Sequence, residues 1–250
     1  MFLIEKINRI LLVLFGLLAS IGYFQVERLE DSRFYDTDLL KEPVQRETDR
    51  APFDVTVGNQ SYRIHPLFDY ELNGVVVSHH HSDEFGDFYH EDWEDYLNLK
   101  DICVIWGDNV ARETYKTMSF NNTSWTCWFQ ADDRAVWQRF NDEQLSNNHL
   151  LTADPRVARA VLGARPGDQI RLQGVLAEYA NKHNAFRRGS STTRKDRGNG
   201  ACETIYVDDF QVVKEGNASW RGLYRLSKVG LLVTFVFFLV LFVTVPYRRR

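Results

Sequence analysis

Val229–Val245 reads VGLLVTFVFFLVLFVTV and holds no charged residue, and the uncharged run continues through Pro246 and Tyr247. A helix that crosses a bilayer needs about 20 largely apolar residues at 1.5 Å rise each. In lipid only helices and closed barrels satisfy their own backbone. Residues 229–247 are therefore predicted to form a transmembrane helix. That helix sets the compartment in which the preceding chain is read.

A second uncharged run, Ile10–Val26, follows Lys6 and Arg9. Two readings compete for it: a signal peptide cut after Ser20-Ile21-Gly22, or an uncleaved anchor at residues 10–26. The run is longer than an ordinary signal core, which favours the anchor. Lys6 and Arg9 place residues 1–9 in the cytoplasm, because basic flanks stay inside and the first helix usually dominates. The second helix is basic on both sides, with Arg221, Arg225 and Lys228 before it and Arg248, Arg249 and Arg250 after it. It follows the first, so the tail 248–250 returns to the cytoplasm. The expectation is a two-pass protein of a bacterial inner membrane, with the lipid bilayer as one partner and its middle outside the cytoplasm.

Between the apolar runs lies enough chain for one domain with a real core. Residues 27–52 are dense in charges of both signs and are expected to be a solvated stalk, with a helix around 28–41 and breaks at Pro43 and Pro52. From 53 to 213 the pattern is mainly β. Phe53–Val57 and Ser61–Ile64 flank Gly58-Asn59-Gln60 as a hairpin. Tyr70–Ser78, Asp101–Trp106 and Ser124–Phe129 are predicted strands, with a bulge at Gly74. Asp132-Asp133 is placed to cap a short helix, and Leu145–Thr152 reads as a polar loop. Asp154-Pro155 opens a helix, with the acid as cap and proline at the first helical position. Gly163 ends it. Gln169–Tyr179 is a strand interrupted at Gly174, Asn181–Gly200 a basic loop, Ala201–Val213 the last strand, and 214–228 a linker.

Three strands, a helix and two strands follow the hairpin, and this succession resembles an OB-type barrel. The residues carrying the resemblance are Leu72-Asn73-Gly74-Val75-Val76 and the run Leu162–Gly174, LGARPGDQIRLQG. It implies a five-stranded Greek-key barrel whose helix lies between strands three and four. The fold class is then a membrane-anchored, mainly β (α+β) protein: an OB-like barrel with one or two short helices between two transmembrane helices. Such barrels bind oligonucleotides, oligosaccharides or proteins. An extracytoplasmic site disfavours the first, and a net charge of -4 supplies no bulk field for nucleic acid. The stretch from Arg188-Gly189-Ser190-Ser191 to Gly200-Ala201-Cys202-Glu203 also resembles one in uncharacterised bacterial membrane-anchored proteins, which implies no activity.

Chemistry is sought in three places. His79–Asp95, HHHSDEFGDFYHEDWED, carries four histidines and seven acids with no lysine or arginine. His79 and His81 would project together from an extended segment, and with His90 and a carboxylate they could hold zinc or copper. The bland alternative is a solvated acidic loop with no cofactor. The basic loop offers Arg187, Arg188, Arg194, Lys195 and Arg197, the hydroxyls of Ser190, Ser191, Thr192 and Thr193, and Gly198-Asn199-Gly200 as a nest for an anion. It reads as an exposed partner- or ligand-binding surface, with pairing to the acidic loop as an alternative. Cys103, Cys127 and Cys202 match no zinc spacing; two of the three could form a disulfide outside the cytoplasm. Cys202 beside Glu203, with His149 elsewhere, admits a cysteine nucleophile, and Cys202 as core or disulfide is the commoner outcome. The function expected is a non-enzymatic interaction or scaffold module in an envelope complex. A metal- or anion-binding sensor domain comes second and a cysteine-dependent hydrolase third.

Overall fold

The computed structural model describes residues 2–196 and 201–244. Arg197, the Gly198-Asn199-Gly200 nest and the Arg248–Arg250 tail lie outside the described residues. The chain divides into two compact units, residues 1–28 with 216–250, and residues 29–215.

The first unit pairs α1 (Phe2–Gln25) with α6 (Ala218–Thr244). Both helices are long and apolar enough to cross a membrane. Each begins N-terminal to the run read from sequence; residues 245–247 of the second run lie outside the described residues. Lys6 and Arg9 are already helical, and α6 starts inside the stretch expected to be a linker. ASWRGLYRLSK contains no proline to stop a helix, and its Arg221 donates from Nε to the Val26 carbonyl at 3.2 Å. Asn8, a polar side chain on α1, is buried and donates to the Thr234 carbonyl at 3.1 Å.

The second unit carries the strands β1 (Val44–Glu47), β2 (Phe53–Val57) and β3 (Gln60–His81), the helix α2 (Phe88–Asp92), β4 (Asn98–Ile105) and α3 (Asp108–Ala111). Then come β5 (Ser119–Thr123), β6 (Thr126–Gln130), α4 (Arg134–Trp137), β7 (Leu145–Leu151), α5 (Pro155–Gly163), β8 (Gln169–Asn181), β9 (Arg187–Arg188) and β10 (Glu203–Lys214). It is an α+β fold on one mixed sheet. β3 pairs with β4, β4 with β7, β7 with β10, β10 with β8, and β8 returns to β3. Only β7 and β10 run parallel in this circuit, with Asn148 opposite Glu203 and Leu151 opposite Tyr206. β1 and β2 add to β3, and β9 adds to β8.

Several elements depart from the sequence expectation. The 27–52 stretch is not a stalk. Its helical portion is a single 3-10 turn at Ser32–Phe34, Tyr35 and Leu40 are buried in the main core, and β1 joins the sheet. The charges around these apolar residues mask them in a composition count. The predicted hairpin arm and the Tyr70–Ser78 strand are one continuous β3. Pro66, which cannot donate to the ladder, sits where the register against β8 shifts between Pro66 and Phe68. The aromatic strand near 124–129 does not enter the main sheet; β5 and β6 form a separate two-stranded ribbon. Its place beside β4 is taken by β7, the segment read as a polar loop.

Other signals hold. The Asp154 carboxylate caps α5, accepting from Arg156 N at 2.6 Å and Val157 N at 3.3 Å. Val157 and Val161 turn into the core. At Gly174 an added Cβ would stand 2.1 Å from the Tyr206 carbonyl oxygen, so only glycine lets β10 approach this closely. One of two β10 irregularities, between Val207 and Asp209, lies opposite it. The bulge expected at Gly74 falls instead between Val76 and Ser78, and the space a Gly74 side chain would need is filled by Val104.

Candidate functional site

A cavity of about 910 Å³ lies where β9, the described residues 189–196 and residues 201–203 meet β6 and the start of β7. Trp125, Trp128 and Phe129 line one side, Ser146 and Asn147 another, and Arg187, Arg188, Arg194, Cys202 and Glu203 come from the 187–203 segment. The basic loop and the aromatic ribbon, far apart in sequence, are thus brought together.

The basic residues divide by environment. Arg187 and Lys195 are exposed. Arg188 lies 3.9 Å over the Trp125 ring, with its Nη2 2.5 Å from His149 Nε2. Arg194 donates from Nη1 to Glu203 Oε1 and from Nη2 to the Tyr70 hydroxyl at 2.5 Å. Arg188 and Arg194 are therefore built into the domain, which corrects the expectation of a freely exposed loop. The hydroxyls of Ser190 and Ser191 are spent in the same way. Ser190 Oγ accepts from Thr204 N at 3.0 Å and donates to the Ser191 carbonyl at 2.9 Å. Ser191 is buried, and its Oγ donates toward Thr193 O and Asp196 Oδ2 at 2.7 and 2.8 Å. Among the described residues Arg187, Arg188 and Lys195 make no ion pair with the acidic 79–95 stretch.

Beneath Arg188 runs a buried polar chain. His149 Nδ1 approaches Asp101 Oδ1 at 2.6 Å, close but poorly directed for a hydrogen bond. Asp101 Oδ2 accepts from Trp125 N at 3.1 Å, which helps hold Trp125 at a positive φ of 72°, a conformation costly for a bulky residue. Asn98 Nδ2 donates to Asp101 Oδ1 at 3.0 Å and meets His90 Nε2 at 3.0 Å. Burial alone would raise the Asp101 carboxyl, but His149 and Asn98 more than offset it and hold it below its usual value. The residues of this chain that sequence reasoning passed over are Asn98, Asp101 and Asn147; Trp125 reads from sequence as core, whereas it is half-buried under Arg188 and lines the cavity. Their one visible signal was SNNH at 146–149, polar residues inside what proves to be a strand.

Cys202 is the free cysteine; Cys103 and Cys127 are bonded. Its Sγ lies 3.4 Å from the Trp125 carbonyl, to which it can donate, and 3.4 Å from Asn147 Nδ2, from which it accepts. Burial raises the thiol, and Asn147 and Arg188 only partly compensate. His149 has both ring nitrogens facing other groups, Arg188 and Asp101. Glu203, 3% exposed, has its Oε2 buried without a partner. Burial pushes this carboxyl up to about 8, against the pull of Arg194.

The histidines proposed as metal ligands separate. His79 and His81 meet edge to face at 5.0 Å, and burial with the nearby Lys100 charge holds His79 down to about 3. His90 stacks on Trp125 at 4.2 Å, and its Nδ1 meets Asp87 at 2.7 Å. Asp87 also meets His80 Nε2 at 2.7 Å and accepts from Ser124 Oγ at 3.0 Å. Among the described residues no group of three or more His, Cys, Asp or Glu is placed to hold a metal ion.

Fold and site together define an α+β domain on a mixed sheet, flanked in sequence by two long apolar helices and carrying an aromatic–arginine cavity. No family model matches this chain, and comparison with curated proteins and with solved structures finds no match.

Proposed function

We propose that this chain is a two-pass membrane protein that holds an OB-type barrel on the extracytoplasmic side of a bacterial inner membrane, as a recognition module within an envelope complex. The five-strand circuit β3–β4–β7–β10–β8, with one parallel pair and α5 between its third and fourth strands, supports the barrel. The Cys103–Cys127 bond supports an oxidising compartment. The two apolar helices, with Lys6 and Arg9 before the first run, support the topology.

The observation that carries recognition is the cavity. It presents aromatic walls, the exposed guanidinium of Arg187 and the stacked Arg188. Aromatic faces with a planar cation suit a ligand or partner segment bearing a carboxylate or phosphate. Catalysis is less well served. The thiol is raised, and the imidazole that would activate it is turned to Arg188 and Asp101.

Two experiments test this. Tryptophan fluorescence of the full chain in mild detergent is titrated with inorganic phosphate and with a uronic-acid trisaccharide. A saturable change with either probe that Arg187→Glu weakens supports the site, and no change with either removes it. A reporter inserted at the exposed Gly58-Asn59 turn should score extracytoplasmic and one fused after Arg250 cytoplasmic; the reverse pattern overturns the topology.

A further inference from the structure

The stretch between β3 and β4 is a lobe whose inside and outside are chemically opposed. Inside, polar anchors fix it. Asp87 caps α2 and binds His80 and His90. Asp95 accepts from the Tyr179 hydroxyl at 2.6 Å. The Glu94 carbonyl accepts from the Tyr62 hydroxyl at 2.5 Å, and the Trp93 carbonyl accepts from Asn184 Nδ2 at 2.9 Å. A loop pinned this way is held in one shape.

Outside, it shows rings. Phe85 is 105% exposed, Phe88 68% and Tyr89 60%, and Trp93 and Tyr96 are also exposed. Large apolar side chains so concentrated on a surface mark an interaction site. The same lobe carries the exposed acids Asp83, Glu84, Glu91 and Asp92, with no lysine or arginine between 79 and 95. Among the described residues no ion pair with a basic side chain is made by Asp83, Glu91, Asp92 or Glu94.

We propose that residues 83–96 form a docking surface for an arginine-bearing, cationic segment of a partner protein, distinct from the cavity. Carboxylates supply the charge complement and the bare rings supply faces on which guanidinium groups stack. The acids oppose the alternative in which the rings enter an anionic leaflet, whose surface attracts basic segments.

The test uses the full chain in nanodiscs of phosphatidylcholine. A fluorescent peptide of Arg-Gly repeats is titrated by anisotropy, beside a Glu-Gly peptide. Saturable binding of the first alone is expected. Phe85→Ser/Phe88→Ser/Tyr89→Ser should weaken it about tenfold or more, the loss of three such stacked pairs. Glu91→Gln/Asp92→Asn should weaken it and reduce its salt dependence. These side chains are exposed, so both variants should keep the wild-type unfolding midpoint. Unchanged affinity in the triple variant reduces the surface to nonspecific charge and overturns the proposal. So does quenching by brominated lipid that disappears in Trp93→Phe, which would assign the lobe to the bilayer. Equal binding of the Glu-Gly peptide overturns it as well.

Discussion

Glu203 sits at the junction of the cavity and the core, and its ionisation should be visible in the stability of the whole domain. Its carboxyl rises from 4.5 to about 8 because burial penalises the anion more than Arg194 stabilises it. At 1.36 kcal/mol per unit that shift corresponds to about 5 kcal/mol. Below pH 4.5 the group is protonated folded and unfolded, so it carries no penalty. As pH climbs above 4.5 the unfolded chain releases the proton while the folded chain retains it, and stability falls. The fall ends near pH 8, where both forms are ionised. Glu203→Gln replaces the titrating group with a near-isosteric neutral one. Urea unfolding of the full chain in detergent, followed by tryptophan fluorescence from about pH 5 to about pH 8, should show wild type losing a few kcal/mol relative to Glu203→Gln. Asp95, also raised by burial, acts equally in both proteins and cancels in the difference. A difference that stays constant across this range would mean that Glu203 is ionised at pH 5. The Arg194 pair would then outweigh desolvation, and the raised pKa assigned to the Glu203 carboxyl would be wrong.

Gly174→Ala should destabilise the domain by about 2–3 kcal/mol, the cost of overpacking against backbone that must shift, because its Cβ would meet the Tyr206 carbonyl oxygen at 2.1 Å; a wild-type urea midpoint would refute the close approach. Asp154→Ala removes two capping bonds and should cost about 1 kcal/mol, with faster hydrogen exchange confined to the first turn of α5. Replacing Cys103 and Cys127 with serine opens a loop of sequence separation 24 and should cost about 3 kcal/mol. In the wild type, thiol labelling after denaturation without reductant should modify Cys202 alone.

Some of this was legible in the chain because local physics decides it. An uncharged run of the length of Val229–Val245 has one stable conformation in lipid, and Asp154-Pro155 specifies a helix start through bonds made within three residues. Gly174 stood out because a glycine inside a strand pattern needs a reason. The strands with apolar alternation or valine runs, β2, the second half of β3, β4, β8 and β10, were visible for the same reason. β7 was not. Ser146, Asn147, Asn148 and His149 are buried; Ser146 and Asn148 bond to each other within the strand, and the remaining partners lie on other elements: Ile102 and Asp101 on β4, Asn122 on β5, Arg188 on β9. No local pattern announces a polar strand, because burial of those groups is tolerable only once distant donors and acceptors have arrived. The same holds for the cavity. That Arg187 and Arg188 belong to a stretch rich in donors could be read from their neighbours in sequence. That Arg188 would lie on Trp125, and Arg194 on Glu203 and Tyr70, was decided by β9 and residues 189–196 meeting β6 and β7, a tertiary event with no counterpart in the order of the residues.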